Sequence, residues 1–118
     1  MADVGKPASP AVDRSALLAR LGGDEELLRD VVRLFLVDCP ARLAAIKSAI
    51  EGRDADRVRT EAHALKGAAS NMSAPEIVEA ARALERMGAE GKLDAADGAL
   101  RQLSNAADAA LDLLRQSV

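Results

Sequence analysis

The stretch EAHALKGAASNMSAPE, residues 61–76, contains the single histidine of the chain, His63. Lys66 follows it by three positions and Gly67 by four. An imidazole can act as a nucleophile, a proton carrier or a metal ligand. One histidine cannot build a zinc centre. The chain has no acidic cluster with Mg²⁺ spacing and no G-x-x-x-x-G-K loop to cradle a phosphate, so no metal is expected on it. Free imidazole titrates near about pH 6.5, so an exposed ring is mostly neutral at pH 7 and can attack an electrophile. A nucleophilic ring also needs a fixed tautomer, which a partner on its other nitrogen provides. Lys66 places a cation one helical turn away, suited to receiving an anion.

Whether the ring is accessible depends on the element that carries it. Val58, Ala62, Leu65, Ala69 and Met72 recur at steps of four, three, four and three. This spacing predicts a helix, opened by Asp54. On a wheel of about 100° per residue, His63 lies roughly 140° from that apolar stripe. Arg59, Lys66, Gly67 and Ser70 share its outer sector as surface neighbours. An idle surface histidine would fit the same wheel. Gly67 weighs against that reading, because a glycine inside a helix costs about 1 kcal/mol relative to alanine. A bare backbone one turn from the ring clears the approach to it. Close packing by another helix would also select glycine, but the outward angle disfavours it. On the following helix, Glu85 flanks the inward stripe. It either holds Nδ1–H of His63, leaving Nε2 free, or is a solvated glutamate.

The remaining elements are also helical, and no segment alternates with period two for long enough to form a strand. Asp13 caps a short first helix with Leu17, Leu18 and Leu21 on one side, stopped by Gly22 and Gly23. Asp24 opens the second helix, whose core positions are Leu28, Val31, Val32, Phe35, Cys39, Leu43, Ile46 and Ile50. Pro40 is expected to kink this helix without ending it, since the pattern resumes at once. Gly52 closes it. Ser73 and Glu76 form a capping box for the fourth helix, with Pro75 in its first turn. Its stripe is Ile77, Ala81, Leu84 and Met87, and Gly88 and Gly91 end it. A last helix runs from Leu93 or Asp94 to near Gln116, with Ala96, Leu100, Leu103, Ala107, Leu111 and Leu114 inward. Short links imply antiparallel neighbours. The expected fold is all-α: an antiparallel four-helix bundle over residues 13–118 with a short additional N-terminal helix. Residues 1–12 read as a leader or linker.

Composition narrows the function. The chain has 118 residues, 49% of them hydrophobic, with Phe35 as its one aromatic. Readers of single-stranded nucleic acid need stacking rings, and a net charge of −3 does not suit a binder of phosphate backbones. No run of about 18 apolar residues exists, so no membrane span is expected. A lone cysteine, Cys39, cannot form an internal disulfide, which points to a reducing, cytoplasmic setting.

AHALKGAASNMSA resembles the signature A-H-x-L-K-G-x-x-x-x-x-G of histidine-containing phosphotransfer (HPt) domains. LGGDEELLRDVVRLFLVDCPARL resembles the second helix of that family, including its mid-helix proline, and ARALE resembles its fourth. The resemblance runs from about Ser15 to the end. It implies a bundle that carries phosphate between response-regulator receiver domains in a multistep phosphorelay. His63 would accept the phosphoryl group, Lys66 would stabilise it and Gly67 would clear its approach. Glu85 falls where the family keeps a polar residue, often glutamine, and a carboxylate there would repel a phosphoryl group. Ser73 stands where the family usually has glycine, and Ala69 where a small residue is common.

An exposed lysine contributes about 0.2–1 kcal/mol to an ion pair. Phosphoryl transfer at useful rates needs about 8 kcal/mol or more. Arg59 and Ser70 beside the site do not close that gap. The partner must therefore bring the aspartyl phosphate and its Mg²⁺, and no cofactor is expected on this chain, which is a carrier and not an enzyme. A receiver, free or belonging to a hybrid histidine kinase, would need a landing surface on what is expected to be a monomer. Leu34, Leu36 and Val37 widen the apolar face of the second helix and are candidates. Burial beneath the short first helix is the reading favoured for them. Two rivals remain: a non-phosphorylated adaptor or inhibitor with the same bundle, and a Cys/His hydrolase using Cys39.

Overall fold

The computed structural model describes residues 11–118 and contains, among them, five helices and no strands. They are α1 (Arg14–Arg20), α2 (Glu25–Glu51), α3 (Ala55–Asn71), α4 (Pro75–Glu90) and α5 (Ala96–Arg115). Each of α2 to α5 packs on its chain neighbour, and α5 returns to α2, so the four form a closed bundle. The short links make successive helices antiparallel. α1 lies against α2.

Local chemistry explains most helix starts. Asp13, Asp24 and Asp54 each accept a hydrogen bond from a backbone N–H three residues on, at 3.0, 3.0 and 3.1 Å. Each bond satisfies one of the unpaired donors of a first turn. Val12 and Leu17, on either side of the Asp13 cap, are both buried, as in a hydrophobic staple. The expected leader ends inside the packed structure, since Ala11 and Val12 already touch the core. Residues 1–10 lie outside the described part. The backbone N–H of Asp13 donates to the Ser73 carbonyl at 2.9 Å, tying α1 to the α3–α4 turn. α2 continues through Pro40 as a single helix.

Two expectations about helix ends need correction. Ser73 does not cap α4. Its φ is 55°, in the left-handed region, and it terminates α3 instead. The N–H of Ala74 donates to the Ala69 carbonyl and that of Ser73 to the Ser70 carbonyl, which satisfies the last turn of α3. The N-cap of α4 is Ala74, with no side-chain bond, and Pro75 follows at the first helical positions. The left-handed φ also gives the physical reason for glycine at this position in the resemblance. Arg53, after Gly52, plays the same part at the end of α2 with φ 54°. An L-residue there is strained by about 1–2 kcal/mol. Ser73→Gly is therefore expected to stabilise the fold by about 1 kcal/mol, after the entropy that glycine costs is set against the strain removed. The midpoint of urea denaturation would move up, and an unchanged or lower midpoint would refute the strain.

The second correction concerns Gly88, which does not end α4. The helix runs on to Glu90, and Gly91, at φ 69°, caps it. Gly88 is buried against α3. α5 begins at Ala96, later than expected, because Leu93 is buried in the link and Ala96 N–H turns back to its carbonyl at 3.0 Å. The core consists of aliphatic side chains and alanines with Cys39 and Met72, and Phe35 is its only ring.

Candidate functional site

The stripe Val58, Ala62, Leu65, Ala69 and Met72 is buried throughout, which fixes the rotation of α3. His63 consequently points outward, with 67% of its side chain exposed. Its Nδ1 lies 2.7 Å from Oε2 of Glu85 on α4. Lys66 donates from Nζ to the other carboxylate oxygen, Oε1, at 2.5 Å. Three groups that the sequence places on two helices thus form one unit. The fork of Glu85 holds the ring with one oxygen and the ammonium with the other. Glu85 and Lys66 are both largely shielded from solvent, with 22% and 26% of their side chains exposed.

The Lys66 ammonium, hydrogen-bonded to Glu85, holds that carboxyl below its ordinary value. Partial burial opposes the shift, and the His63 hydrogen bond adds to it. Because the folded value lies below the ordinary 4.5, these bonds contribute stability fully above that pH. The contribution is lost as pH falls through the lower, folded value.

With Nδ1 engaged on a carboxylate, Nδ1 is the natural position for the proton, and Nε2 carries the lone pair. Gly67 lies one turn further along α3 and is exposed. A Cβ built there meets nothing within 4 Å, so no neighbouring helix requires the glycine. Arg59 is also exposed on this face but pairs with Asp56 at 3.8 Å. Ser70 is exposed one turn beyond Lys66. It lines a shallow groove with Asp13 and Ser73 where α1 meets the α3–α4 turn.

On α2, Leu34 and Val37 are 69% and 74% exposed. α1 does not cover them, so burial beneath it does not hold for these two. Leu36 is half-buried against the core. Cys39 is fully buried, and that burial, followed by the Asp38 charge, pushes its thiol up to about 11. A thiol shut inside the bundle is out of reach of a substrate, which weighs against the hydrolase rival. Among the described residues, no helix is long and apolar enough to cross a membrane.

The family model for the Hpt domain matches residues 30–116. The chain belongs to the Hpt domain family. The crystal structure of histidine-containing phosphotransfer protein B (HptB) from Pseudomonas aeruginosa PAO1 is similar over 92% of this chain and 95% of that one. The TM-score is 0.86 at 26% sequence identity. Comparison with curated proteins gives no match. This Hpt chain accordingly works in histidine phosphotransfer within a two-component phosphorelay. Members of the Hpt family are phosphoryl carriers, unlike classical enzymes, and their partners are response-regulator receiver domains.

Two features of this Hpt domain escape a reading of the sequence. One is the Lys66–Glu85 bond, since a wheel gives the direction of a lysine but not its partner on another helix. The other is the contact of Gly88 with α3. Its signal was present: Gly88 continues the stripe of Ile77, Ala81 and Leu84 at a step of four.

Proposed function

We propose that His63 accepts a phosphoryl group on Nε2 from the aspartate of one receiver and passes it to the aspartate of another. The observation that carries this reading is an exposed ring whose Nδ1 is already held by Glu85. Phosphoryl transfer is mostly positioning and charge neutralisation. α3 supplies a rigid post, Glu85 orients the ring, and Gly67 leaves the approach open. Lys66 offsets the repulsion that the Glu85 carboxylate would exert on an arriving phosphoryl group. It also retains donors beyond the one committed to Glu85. Arg59 and Ser70 are secondary groups on the same helix.

The receiver, free or part of a hybrid histidine kinase, brings the acyl phosphate and the Mg²⁺. This chain binds no cofactor of its own and acts as a cytoplasmic monomer. Leu34 and Val37, flanked by Leu36, form the docking surface. Counting from the α2–α3 turn at 1.5 Å per residue, Val37 lies within about 10 Å, along the helix axis, of the level of His63. Exposed apolar side chains of this kind mark interfaces.

The test is to mix the chain with a phosphorylated receiver and characterise the label it acquires. Acid-labile, base-stable phosphate is expected, as for a phosphoramidate. A chain that binds the receiver yet acquires no label would instead be an adaptor. A second expectation concerns Gly67. Gly67→Ala should stabilise the helix by about 1 kcal/mol. Gly67→Gln should also stabilise it relative to glycine but slow transfer, because its longer side chain reaches over the ring. Urea denaturation and transfer rates from one receiver measure both effects, and a glutamine variant as fast as wild type would refute the steric role.

A further inference from the structure

We propose that the groove between α1 and the α3–α4 turn is a specificity pocket for the docking receiver, taking one of its apolar side chains together with a neighbouring lysine or arginine. This rests on the reading that a receiver docks over His63. Helix geometry places the groove beside that ring. Ser70 lies seven residues after His63 on α3, and Val78 seven before Glu85 on α4. Seven residues turn a helix by about 700°, about 20° short of two full turns, and advance it by about 10 Å. α3 and α4 run antiparallel, so both displacements lead towards the α3–α4 turn. The groove, which Ser70 and Val78 line, therefore continues the face of the His63–Glu85 unit about 10 Å further along.

A specific protein–protein interface covers about 800 Å² on each partner, a disc of about 16 Å radius. A receiver centred on His63 thus reaches the groove. In the closed bundle α3 lies between α2 and α4. The same receiver has Leu34 and Val37 of α2 on one flank of α3 and the groove on the other. The groove encloses about 310 Å³. That is near the lower bound of about 300 Å³ for small-molecule sites, so it suits side chains better than a whole ligand.

The lining decides what the groove takes. Ala16 of α1 and Pro75 and Val78 of α4 supply apolar walls. Asp13 and Glu79 also line it and are exposed, and no lysine or arginine among the described residues does. Asp13 commits Oδ1 to the cap of α1. Glu79 is held by Arg82 in an exposed pair, worth about 1 kcal/mol or less. Both carboxylates can therefore accept a cation that arrives next to an apolar side chain. The walls are in place before the partner comes. The Asp13 N–H donates to the Ser73 carbonyl at 2.9 Å, and the Ala16 N–H to Asp13 Oδ1 at 3.0 Å. Val12 and Leu17 are buried and fix α1 to the core. A pre-formed pocket spares the complex the cost of ordering it. α1, which stands outside the ring of four helices, acquires a function as one wall.

Two variants test this: Ala16→Phe fills the pocket, and Glu79→Lys reverses a charge on it. Neither residue belongs to the His63–Glu85 unit. Each variant is labelled by two donors, phosphoramidate, which is small and needs no docking surface, and the phosphorylated receiver that labels the wild-type chain fastest. Labelling by phosphoramidate should match wild type. KM for the receiver should rise about tenfold with kcat unchanged, the loss expected for an interface anchor. For Glu79→Lys the rise should shrink as salt is added, which a structural defect would not do. An unchanged KM in both variants would overturn the pocket and leave His63 as the acceptor. If circular dichroism shows that Ala16→Phe does not fold, ¹⁵N–¹H spectra of the wild-type chain decide. The backbone signals of Ala16 and Val78 should shift as the receiver is added, and shifts confined to α2 and α3 would overturn the proposal. Shifts of those two signals on concentrating the chain alone would assign the groove to a second copy and overturn it equally. A wild-type chain that gains no label from either donor would overturn the reading of His63 itself.

Discussion

His63→Gln is expected to reduce phosphoryl incorporation from a phosphorylated receiver to background while leaving the bundle folded. The chain has no other histidine to take over. Its one thiol, Cys39, is buried and held in the protonated form. The substituted side chain stands two-thirds in solvent, so its loss should change stability by no more than about 0.5 kcal/mol. Glutamine can still offer a donor to Glu85, which spares the carboxylate and its bond to Lys66. Label measured by acid-lability, with helicity followed by circular dichroism, separates the two effects. Label retained at the wild-type level by a folded variant would remove His63 from the role proposed for it.

Gly88→Ala should destabilise the fold by about 2–3 kcal/mol, the upper part of the range for overpacking a core. A Cβ at this position would lie 2.6 Å from the Arg59 nitrogen, 2.7 Å from the Ala55 oxygen and 2.9 Å from the Arg59 Cα. All three are backbone atoms, so no side chain can rotate out of the way. α3 and α4 must separate. The effect should also reach the site, because Arg59 is one turn before His63 and Gly88 is one turn after Glu85. Forcing the helices apart there lengthens the His63–Glu85 bond. Thermal denaturation reads the first effect, and the ¹⁵N signature of the His63 tautomer reads the second. A variant as stable as wild type would mean that the helices accommodate the methyl group by another route.

The contrast between these two glycines indicates what a sequence can disclose. Gly67 faces away from the apolar stripe of its own helix, so its open surroundings follow from periodicity alone. The environment of Gly88 is set by a different helix, and no local pattern specifies how closely two backbones approach. Caps behave similarly. Asp13, Asp24 and Asp54 were legible because a cap is a bond within four residues. Ser73 satisfied the same local signature but was claimed by the preceding helix, whose last turn needed a left-handed residue. The stripe of α3, and with it the outward direction of His63, was fully readable. The pairing of Lys66 with Glu85 was not, because long flexible side chains choose partners only once the helices are placed. Leu34 and Val37 show the same limit: a wide apolar face is visible in sequence, but whether a short helix covers it depends on docking.

The helix that carries His63 is bounded by two turns whose left-handed residues, Arg53 and Ser73, are not glycine. They stand about 30 Å apart along α3, by the rise of 1.5 Å per residue, so changes at the two should be independent. The protein thus leaves folding energy unclaimed at both ends of its working helix, away from the imidazole. Installing glycine at both would create a sturdier host for damaging replacements such as Gly88→Ala. Defects in phosphate handling could then be measured there without collapse of the scaffold obscuring them.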